Sequence, residues 1–260
     1  MFSGVARLGC HLAGCSARRP RSPSVLGMRR VTVEAGPTRE SEDLDDPDLA
    51  GQLGEVVSRA VGAGAAAVVV EAEPAPADLV DAVEAAGFVP IRTTLQLRRP
   101  LPVDPPDRGD PPTITTRPFD PARDEQAWLA VNNRAFAWHP DQADQTVADL
   151  RAREAEPWFR ADGFLLHEDA GGEIDGFCWT KIHADHDPPL GEIYVIGVDP
   201  AAHGRGLGRA IVLAGLDWLH GQGLRRAMLY VEADNGPARR LYASMGFVEH
   251  QAHRWWRRTL

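Results

Sequence analysis

A glycine-rich segment between a predicted strand and a predicted helix places the strongest constraint on the fold of this chain. The β-rich run 193–198 precedes the segment, and the apolar pattern of a helix begins at Leu207. Alternate glycines at Gly204, Gly206 and Gly208 permit backbone turns that a Cβ would forbid and let N–H groups approach a ligand. Because a helix N-terminus adds unpaired N–H groups and the positive end of its dipole, the segment predicts a phosphate-binding site.

The spacing of these glycines excludes two common phosphate loops. The dinucleotide pattern G-x-G-x-x-G is absent here, and the pattern G-x-x-x-x-G-K-[ST] requires a lysine that the segment lacks. Residues 203–209 instead resemble the Q/R-x-x-G-x-G/A loop of the GCN5-related N-acetyltransferases (the GNAT family), which holds the pyrophosphate of acetyl-CoA. His203 stands where Gln or Arg is usual. The resemblance implies an acetyl-CoA site made of Ile196, Gly197, Val198, His203, Gly204, Arg205, Gly206, Leu207, Gly208 and Arg209.

A second pattern follows at the distance that this family has. Residues 227–233 predict a strand, residues 235–242 predict a short helix, and Gly246 is placed to end that helix. The run N-x-x-A-x-x-x-Y-x-x-x-G-F resembles the C-terminal signature of the GNAT family. It adds three residues to the expected coenzyme site: Asn235, Arg239 and Arg240.

Composition limits the class of protein and its partners. The formal net charge is -9, and residues 1–30 hold six arginines and no acid, so the remainder is more acidic still. This balance disfavours nucleic acid as a partner. No run reaches the roughly 18 apolar residues that span a bilayer, so no membrane partner is expected. Three cysteines give no disulfide framework, which favours a reducing cytoplasm.

The chain is predicted to contain one partial and one complete domain, with residues 1–49 a disordered tail and linker. Residues 50–100 read helix, strand, helix, then strands from Gly87 and over 93–98, an order that resembles the end of the chain. We interpret them as the second half of a degenerate GNAT-like domain without a visible acetyl-CoA site. The proline-rich residues 101–112 predict a stiff linker. Residues 113–260 predict the catalytic GNAT domain, an α+β fold with a mixed sheet flanked by helices.

Within residues 101–260 the resemblance extends to a narrower family, the mycothiol synthases. It is carried by four segments: 131–142, 179–183, 191–200 and 229–235. Those enzymes acetylate the cysteinyl amine of cysteinyl-glucosaminyl-inositol (Cys-GlcN-Ins), so the resemblance implies this small-molecule acceptor. It also implies acceptor-binding roles for Asp141, which replaces the family's Glu, and for Lys181, Glu192 and Tyr230.

The chemistry of acetyl transfer assigns two catalytic residues. An amine attacks a thioester only when it is uncharged, and an α-amino group has a pKa of about 8. Glu192, near the start of the central strand, is therefore expected to act as general base, through a water molecule. Tyr242 is expected to protonate the departing thiolate of CoA. The N–H of Val198 is expected to bind the thioester carbonyl, and Gly197 to let the strand splay.

Some alternatives stay open at the level of sequence. His139, His183, Asp185, His186 and Asp187 match no standard ligand spacing, so no metal is expected. The chain could acetylate another amine, such as a peptide N-terminus, an aminoglycoside or a small metabolite. It could also be a non-catalytic acetyl-CoA-binding module. The sequence does not decide between a monomer and a dimer.

Overall fold

The computed structural model of this chain describes residues 28–35, 38–44, 48–138 and 144–260. The strands are β1 Met28–Ala35, β2 Thr38–Asp43, β3 Ala67–Glu73, β4 Val89–Pro100, β5 Thr116–Pro118, β6 Phe164–Glu168, β7 Ile174–His183, β8 Leu190–Val198, β9 Arg226–Glu232 and β10 Val248–Thr259. The helices are α1 Leu49–Gly62, α2 Ala77–Ala85, α3 Pro105–Arg108, α4 Glu125–Ala135, α5 Val147–Glu154, α6 Leu207–Gly221 and α7 Gly236–Ala243. None of the helices in these stretches is long and apolar enough to cross a membrane.

The described residues divide into two compact units. The larger unit comprises Leu97–Val231 and Asn235–Glu249. The smaller unit comprises the described residues up to Gln96, together with Glu232–Asp234 and His250–Leu260. Strand β4 is divided between the units, and most of the C-terminal strand β10 belongs to the smaller one.

In the larger unit a mixed sheet has helices on both faces. The strand order is β4-β9-β8-β7-β6-β5, with β8 parallel to β9 and antiparallel to β7. Helix α6 packs closely on one face at Gly215. A Cβ at this position would lie 2.4 Å from Cys178 Sγ and 2.8 Å from Ile193 Cδ1, which is too close. Helix α4 covers the other face over an aromatic core that includes Trp128, Phe177 and Trp179. This arrangement confirms the predicted α+β class.

The central pair of parallel strands separates early. Strands β8 and β9 pair over residues 191–193 and 227–229, whereas β8 continues to Val198. A parallel pair that parts in this way leaves a gap in the sheet between the two strand ends.

A β-bulge in β8 lies at the point of separation. Across the β7–β8 pair, Trp179 is opposite Val195 and Thr180 is opposite Ile193, so Tyr194 is an extra residue in β8. A bulge bends its strand and redirects nearby side chains, and bulges are common beside active sites. As a result, Lys181 and Glu192, which are opposite each other in register, share the face that α4 covers.

The smaller unit has its own hydrophobic core. Its strand order is β2-β1-β3-β10-β4, and β3 is therefore paired on both sides. The helices α1 and α2 contribute Leu53, Val56 and Leu79 to the core, and Trp256 of β10 is buried with them. The last strand of the chain thus completes a sheet whose other strands come from its beginning.

The structure differs from the sequence-based division at the N-terminus. Residues 28–35 and 38–43 form a hairpin rather than a tail or linker, and Val31 of this hairpin is fully buried. Glu40, Glu42 and Asp43 lie on β2, which is an edge strand. Charges are common on edge strands because they discourage pairing with another chain.

Two further differences affect the middle of the chain. Strand β4 is one continuous strand where two were predicted. The proline-rich segment 101–112 is not a free linker, since Leu101 and Val103 are buried and α3 forms within it. Arg108 of this segment makes a bidentate salt bridge to Asp217 of α6 at 2.8 and 2.7 Å. Prolines here fix turns rather than an extended spacer.

Candidate active site

A cleft of about 290 Å³ lies at the carboxyl end of β8, and we call it the glycine cleft. It is lined by Asp110, Pro111, Ile196, Gly197, Val198, Ala202, His203, Gly204, Gly206, Leu207, Gly208, Arg209, Ala238, Leu241 and Tyr242. Most of the predicted coenzyme-binding residues therefore come together. The sequence analysis missed Asp110 and Pro111, which it placed in a linker, and the apolar residues Ala202, Ala238 and Leu241.

The backbone of the loop before α6 is shaped for an anion. Gly204 and Gly206 have φ of 79° and 77°, a left-handed conformation that L side chains rarely adopt. Gly206 is the N-cap of α6, and no side chain among the described residues caps this helix. The first intrahelical bond is donated by Ala210 N–H to Gly206 O, so the N–H groups of residues 207–209 precede the helical ladder. These groups and the helix dipole are available to an anionic ligand.

The packing of the described residues around Gly208 leaves room for a Cβ. A Cβ at this position would meet Val198 Cγ2 at 3.9 Å and Leu241 Cδ2 at 4.0 Å, which are ordinary contacts. By contrast, a Cβ at Gly197 would lie 2.6 Å from the ring of Phe177. Gly197 therefore makes room for Phe177. The expectation that Gly197 lets β8 splay is wrong, because β8 and β9 part already after Ile193.

Several polar side chains of the predicted coenzyme site bind protein groups. The guanidinium of Arg209 donates to the carbonyl oxygen of Asp107 at 3.0 Å and also binds Ser244 Oγ. The ring Nε2–H of His203 donates to Val198 O at 3.1 Å. Asn235 caps α7 by accepting from Ala238 N–H at 3.1 Å. These side chains hold the walls of the cleft in place.

Three arginines predicted for the coenzyme site are exposed: Arg205, Arg239 and Arg240. Among these, Arg205 is in the glycine loop itself. The cleft is thus lined mainly by backbone and apolar groups, and charged groups lie at its border.

The turn before the loop is fixed by an ion pair. Asp199 accepts from Ala201 N–H at 2.9 Å and from the guanidinium of Arg134 at 2.6 and 2.8 Å. Burial opposes ionisation of Asp199, but these two donors outweigh it and lower the pKa of its carboxyl group. Helix α4 and the glycine loop are connected through this pair.

Tyr242 of α7 lines the glycine cleft and is fully buried. Its hydroxyl group has no hydrogen-bond partner among the residues that the structure describes. Burial raises the pKa of the phenol, and the neighbouring Cys178 raises it further. An unpaired buried hydroxyl group is unfavourable, so this one is placed to bond to a ligand in the cleft.

A cluster of polar side chains lies on β7 and β8, on the face of the sheet that α4 covers. This polar cluster consists of Lys181, His183 and Glu192. Glu192 is only 4% exposed, and its Oε2 is 2.7 Å from His183 Nε2. Lys181 is opposite Glu192 in the β7–β8 register. The pair of β8 with β9 ends one residue after Glu192, so this carboxylate borders the gap between the two strands.

Aromatic rings surround the ammonium group of Lys181. Its Nζ lies 4.5 Å from the centroid of Trp158 and 5.5 Å from that of Tyr194. Lys181 is also the only lysine of the chain. The pairing of β7 with β6 ends at Trp179, so at Lys181 the strand pairs with β8 alone, and the side chain is half-buried beside these rings. Sequence reasoning missed Trp158 and Tyr194, because neither is near Lys181 in the chain.

The remaining predicted residues have different outcomes. Tyr230 is half-buried on β9, two residues beyond Met228, which pairs with Glu192. Asp141 and His139 lie outside the described residues. Cys178 is fully buried, and burial raises the pKa of its thiol.

The loop after β7 brings three potential metal ligands together. One ligand atom each from His183, Asp185 and His186 lies within 4.8 Å of the others, and the last two side chains are exposed. Exposed polar groups often cluster in this way without an ion, and His183 already bonds to Glu192. The expectation that no metal binds here stays a prediction.

Comparison with known proteins agrees with this architecture. Residues 126–247 match the Acetyltransferase (GNAT) family. The solved structure of a GCN5-related N-acetyltransferase from Sphaerobacter thermophilus superimposes with a TM-score of 0.57 and 24% identity, over 71% of this chain and 56% of the other. That likeness shows the fold. The fold and the family match together resemble those of the GNAT acetyltransferases.

Curated relatives narrow the family. The mycothiol acetyltransferase of Thermomonospora curvata is 44% identical over 269 residues, which cover 92% of this chain and 89% of the relative. The mycothiol acetyltransferase of Acidimicrobium ferrooxidans is 51% identical over 174 residues, which cover 65% of this chain and 55% of the relative. The chain belongs to the mycothiol acetyltransferase family within the GNAT acetyltransferases.

Proposed function

We propose that this protein transfers the acetyl group of acetyl-CoA to the cysteinyl amine of Cys-GlcN-Ins, forming mycothiol. The observation that carries the proposal is the early separation of β8 and β9. It begins one residue after the buried Glu192, and the glycine cleft lies farther along the same strand. The gap between the strands can therefore bring a thioester from the cleft to a carboxylate on the other face.

The coenzyme would bind through the backbone of the glycine loop. The N–H groups of residues 207–209 and the left-handed turns at Gly204 and Gly206 suit the diphosphate, since they form an uncapped helix N-terminus. The apolar residues Ile196, Ala238 and Leu241 suit the pantetheine arm. Arg205 is not among the residues that line the cleft, and it would add charge at its border.

The chemistry requires one proton acceptor and one proton donor. Glu192 would take a proton from the attacking amine, directly or through a water, as the N–C bond forms. Tyr242 would give its proton to the CoA sulfur as the C–S bond breaks. Its raised pKa keeps the phenol protonated at neutral pH. The N–H of Val198 would stabilise the charge that develops on the carbonyl oxygen.

The polar cluster would bind the acceptor. Lys181 is held by two aromatic rings, so its ammonium group has a defined position from which to donate to a sugar or inositol hydroxyl group. Tyr230 and Asp141 are proposed to complete this acceptor site. The mycothiol acetyltransferase names of the relatives support this choice of acceptor.

The test is a transfer assay with the purified protein, acetyl-CoA and Cys-GlcN-Ins. Mass spectrometry should show addition of one acetyl group, and the product should still react with a thiol reagent, because the amine and not the thiol is acetylated. A panel of peptide, aminoglycoside and small-metabolite amines is the control. Turnover of a panel amine in preference to Cys-GlcN-Ins would reject the acceptor. Binding of acetyl-CoA without transfer to any amine would favour a non-catalytic module.

A cytoplasmic location and a lack of nucleic-acid and membrane partners are predictions from composition.

A further inference from the structure

His183 bonds directly to the proposed general base. It lies two residues beyond Lys181 on β7, and its Nε2 is 2.7 Å from Oε2 of Glu192. Both side chains are largely buried, with 18% and 6% of their surfaces exposed. In the sequence this histidine stood out only as a possible metal ligand. The structure gives it a different partner.

The chemistry of the two groups fixes the direction of this hydrogen bond. The carboxylate of a general base is ionised and can only accept, so His183 donates from Nε2–H. Burying a carboxylate is costly unless it is hydrogen-bonded, and a donated bond favours its charged form. Because the bond occupies Oε2, the other oxygen, Oε1, is left to receive a proton.

We infer that His183 is a positioning residue, which orients the Glu192 carboxylate through Oε2 so that Oε1 takes the proton of the attacking amine. The inference rests on the proposed role of Glu192. His183 itself does not touch the substrate in this step. The proton moves from the amine to Oε1 and leaves to solvent after the product departs.

Other polar side chains lie close to the Glu192–His183 pair. Lys181 is opposite Glu192 on β7, and Tyr194 and Tyr230 lie on β8 and β9. Asp185 and His186 follow His183 in the chain, and the ring of His186 is 5.5 Å from that of His183. His186 is exposed and is placed beside His183 rather than bonded to Glu192, which makes it a matched control.

The test compares His183→Ala, His183→Gln and His186→Ala. A hydrogen bond to a charged group contributes about 1.5–3 kcal/mol, so His183→Ala should lower kcat roughly 10- to 100-fold. The KM for acetyl-CoA should stay unchanged. His183→Gln, which keeps an N–H donor at a similar reach, should recover most of the rate, and His186→Ala should match the wild type.

Three results would overturn the inference. His183→Gln could be as slow as His183→Ala while folding normally by circular dichroism. The loss in His183→Ala could lie entirely in the KM for acetyl-CoA. Equal losses in His183→Ala and His186→Ala, together with inactivation by a chelator, would instead indicate a metal site.

The variant Glu192→Gln distinguishes a failure of this inference from a failure of the proposed function. The assay uses Cys-GlcN-Ins, or the panel amine that turns over. If Glu192→Gln retains the wild-type rate, the proposed base is wrong and the inference falls with it. If Glu192→Gln is inactive while His183→Ala has the wild-type rate, only the role of His183 is wrong.

Discussion

The glycine cleft and the polar cluster both include residues of β8 in the larger unit, yet they are built by opposite means. The cleft is made of backbone donors and apolar walls, and its loop comes from one short stretch of the chain. The polar cluster consists of charged and polar side chains from two strands, and one of its members is a buried carboxylate. A site of the first kind should be damaged by an added Cβ, whereas a site of the second kind should be damaged by removal of a functional group.

The largest effect is expected for Glu192→Gln. If the carboxylate is the base, kcat should fall by roughly 100-fold or more, because an amide cannot accept the proton. The affinity for acetyl-CoA, measured by calorimetry, should stay within about twofold of the wild type, since the cleft is separate from the polar cluster. A parallel loss of coenzyme affinity would contradict the division of the site into two parts.

Gly208→Ala tests the cleft with a single methyl group. The free protein has room for this Cβ, so the melting temperature should be unchanged or slightly raised. Affinity for acetyl-CoA should nevertheless drop roughly tenfold or more, about 1.4 kcal/mol, because the methyl group occupies the space of the diphosphate. Arg205→Ala, a much larger truncation in the same loop, should weaken binding less. The reverse order would show that charge rather than the backbone holds the coenzyme.

Tyr242→Phe removes the unpaired hydroxyl group from the cleft. Stability should not fall, since the hydroxyl group has no partner to lose among the described residues. We expect kcat to drop about tenfold from the loss of the proton donor. Because the pKa of the phenol is raised, it keeps its proton throughout the neutral range, and the basic limb of the pH profile should not move in the variant. A shift of that limb would mean that Tyr242 titrates in the working range.

Lys181→Met is expected to have the smallest effect and to act on the acceptor alone. The variant keeps the apolar stem beside Trp158 but loses the charge. The KM for the acceptor should rise by about five- to tenfold, and the KM for acetyl-CoA should not change. Since Lys181 is the only lysine, an amine-reactive reagent can also report on it in the native protein. Protection of Lys181 by acetyl-CoA, but not by the acceptor, would count against its assignment.

The same contrast explains what could be predicted from the sequence. The glycine loop, α6 and α7 are contiguous motifs, so their positions follow from local rules of turns and helix ends. The bulge at Tyr194 and the placement of Trp158 near Lys181 depend on pairing between distant segments. No local pattern shows that His183 reaches Glu192, because the two residues meet only when β7 and β8 pair in this register.

Similar reasoning applies to the smaller unit. Its helices α1 and α2 were visible from their apolar spacing. The contribution of β10 was not, because a strand carries no mark of the partner with which it pairs. The acidic composition of β2 is typical of a linker, but here it reflects exposure on an edge strand rather than disorder.

A crystal structure with bound acetyl-CoA tests the central claim most directly. The account predicts the diphosphate against the N–H groups of residues 207–209 and the thioester in the gap between β8 and β9, on the side that leads to Glu192. Coenzyme density outside the glycine cleft, or a thioester that emerges away from this gap, would contradict it.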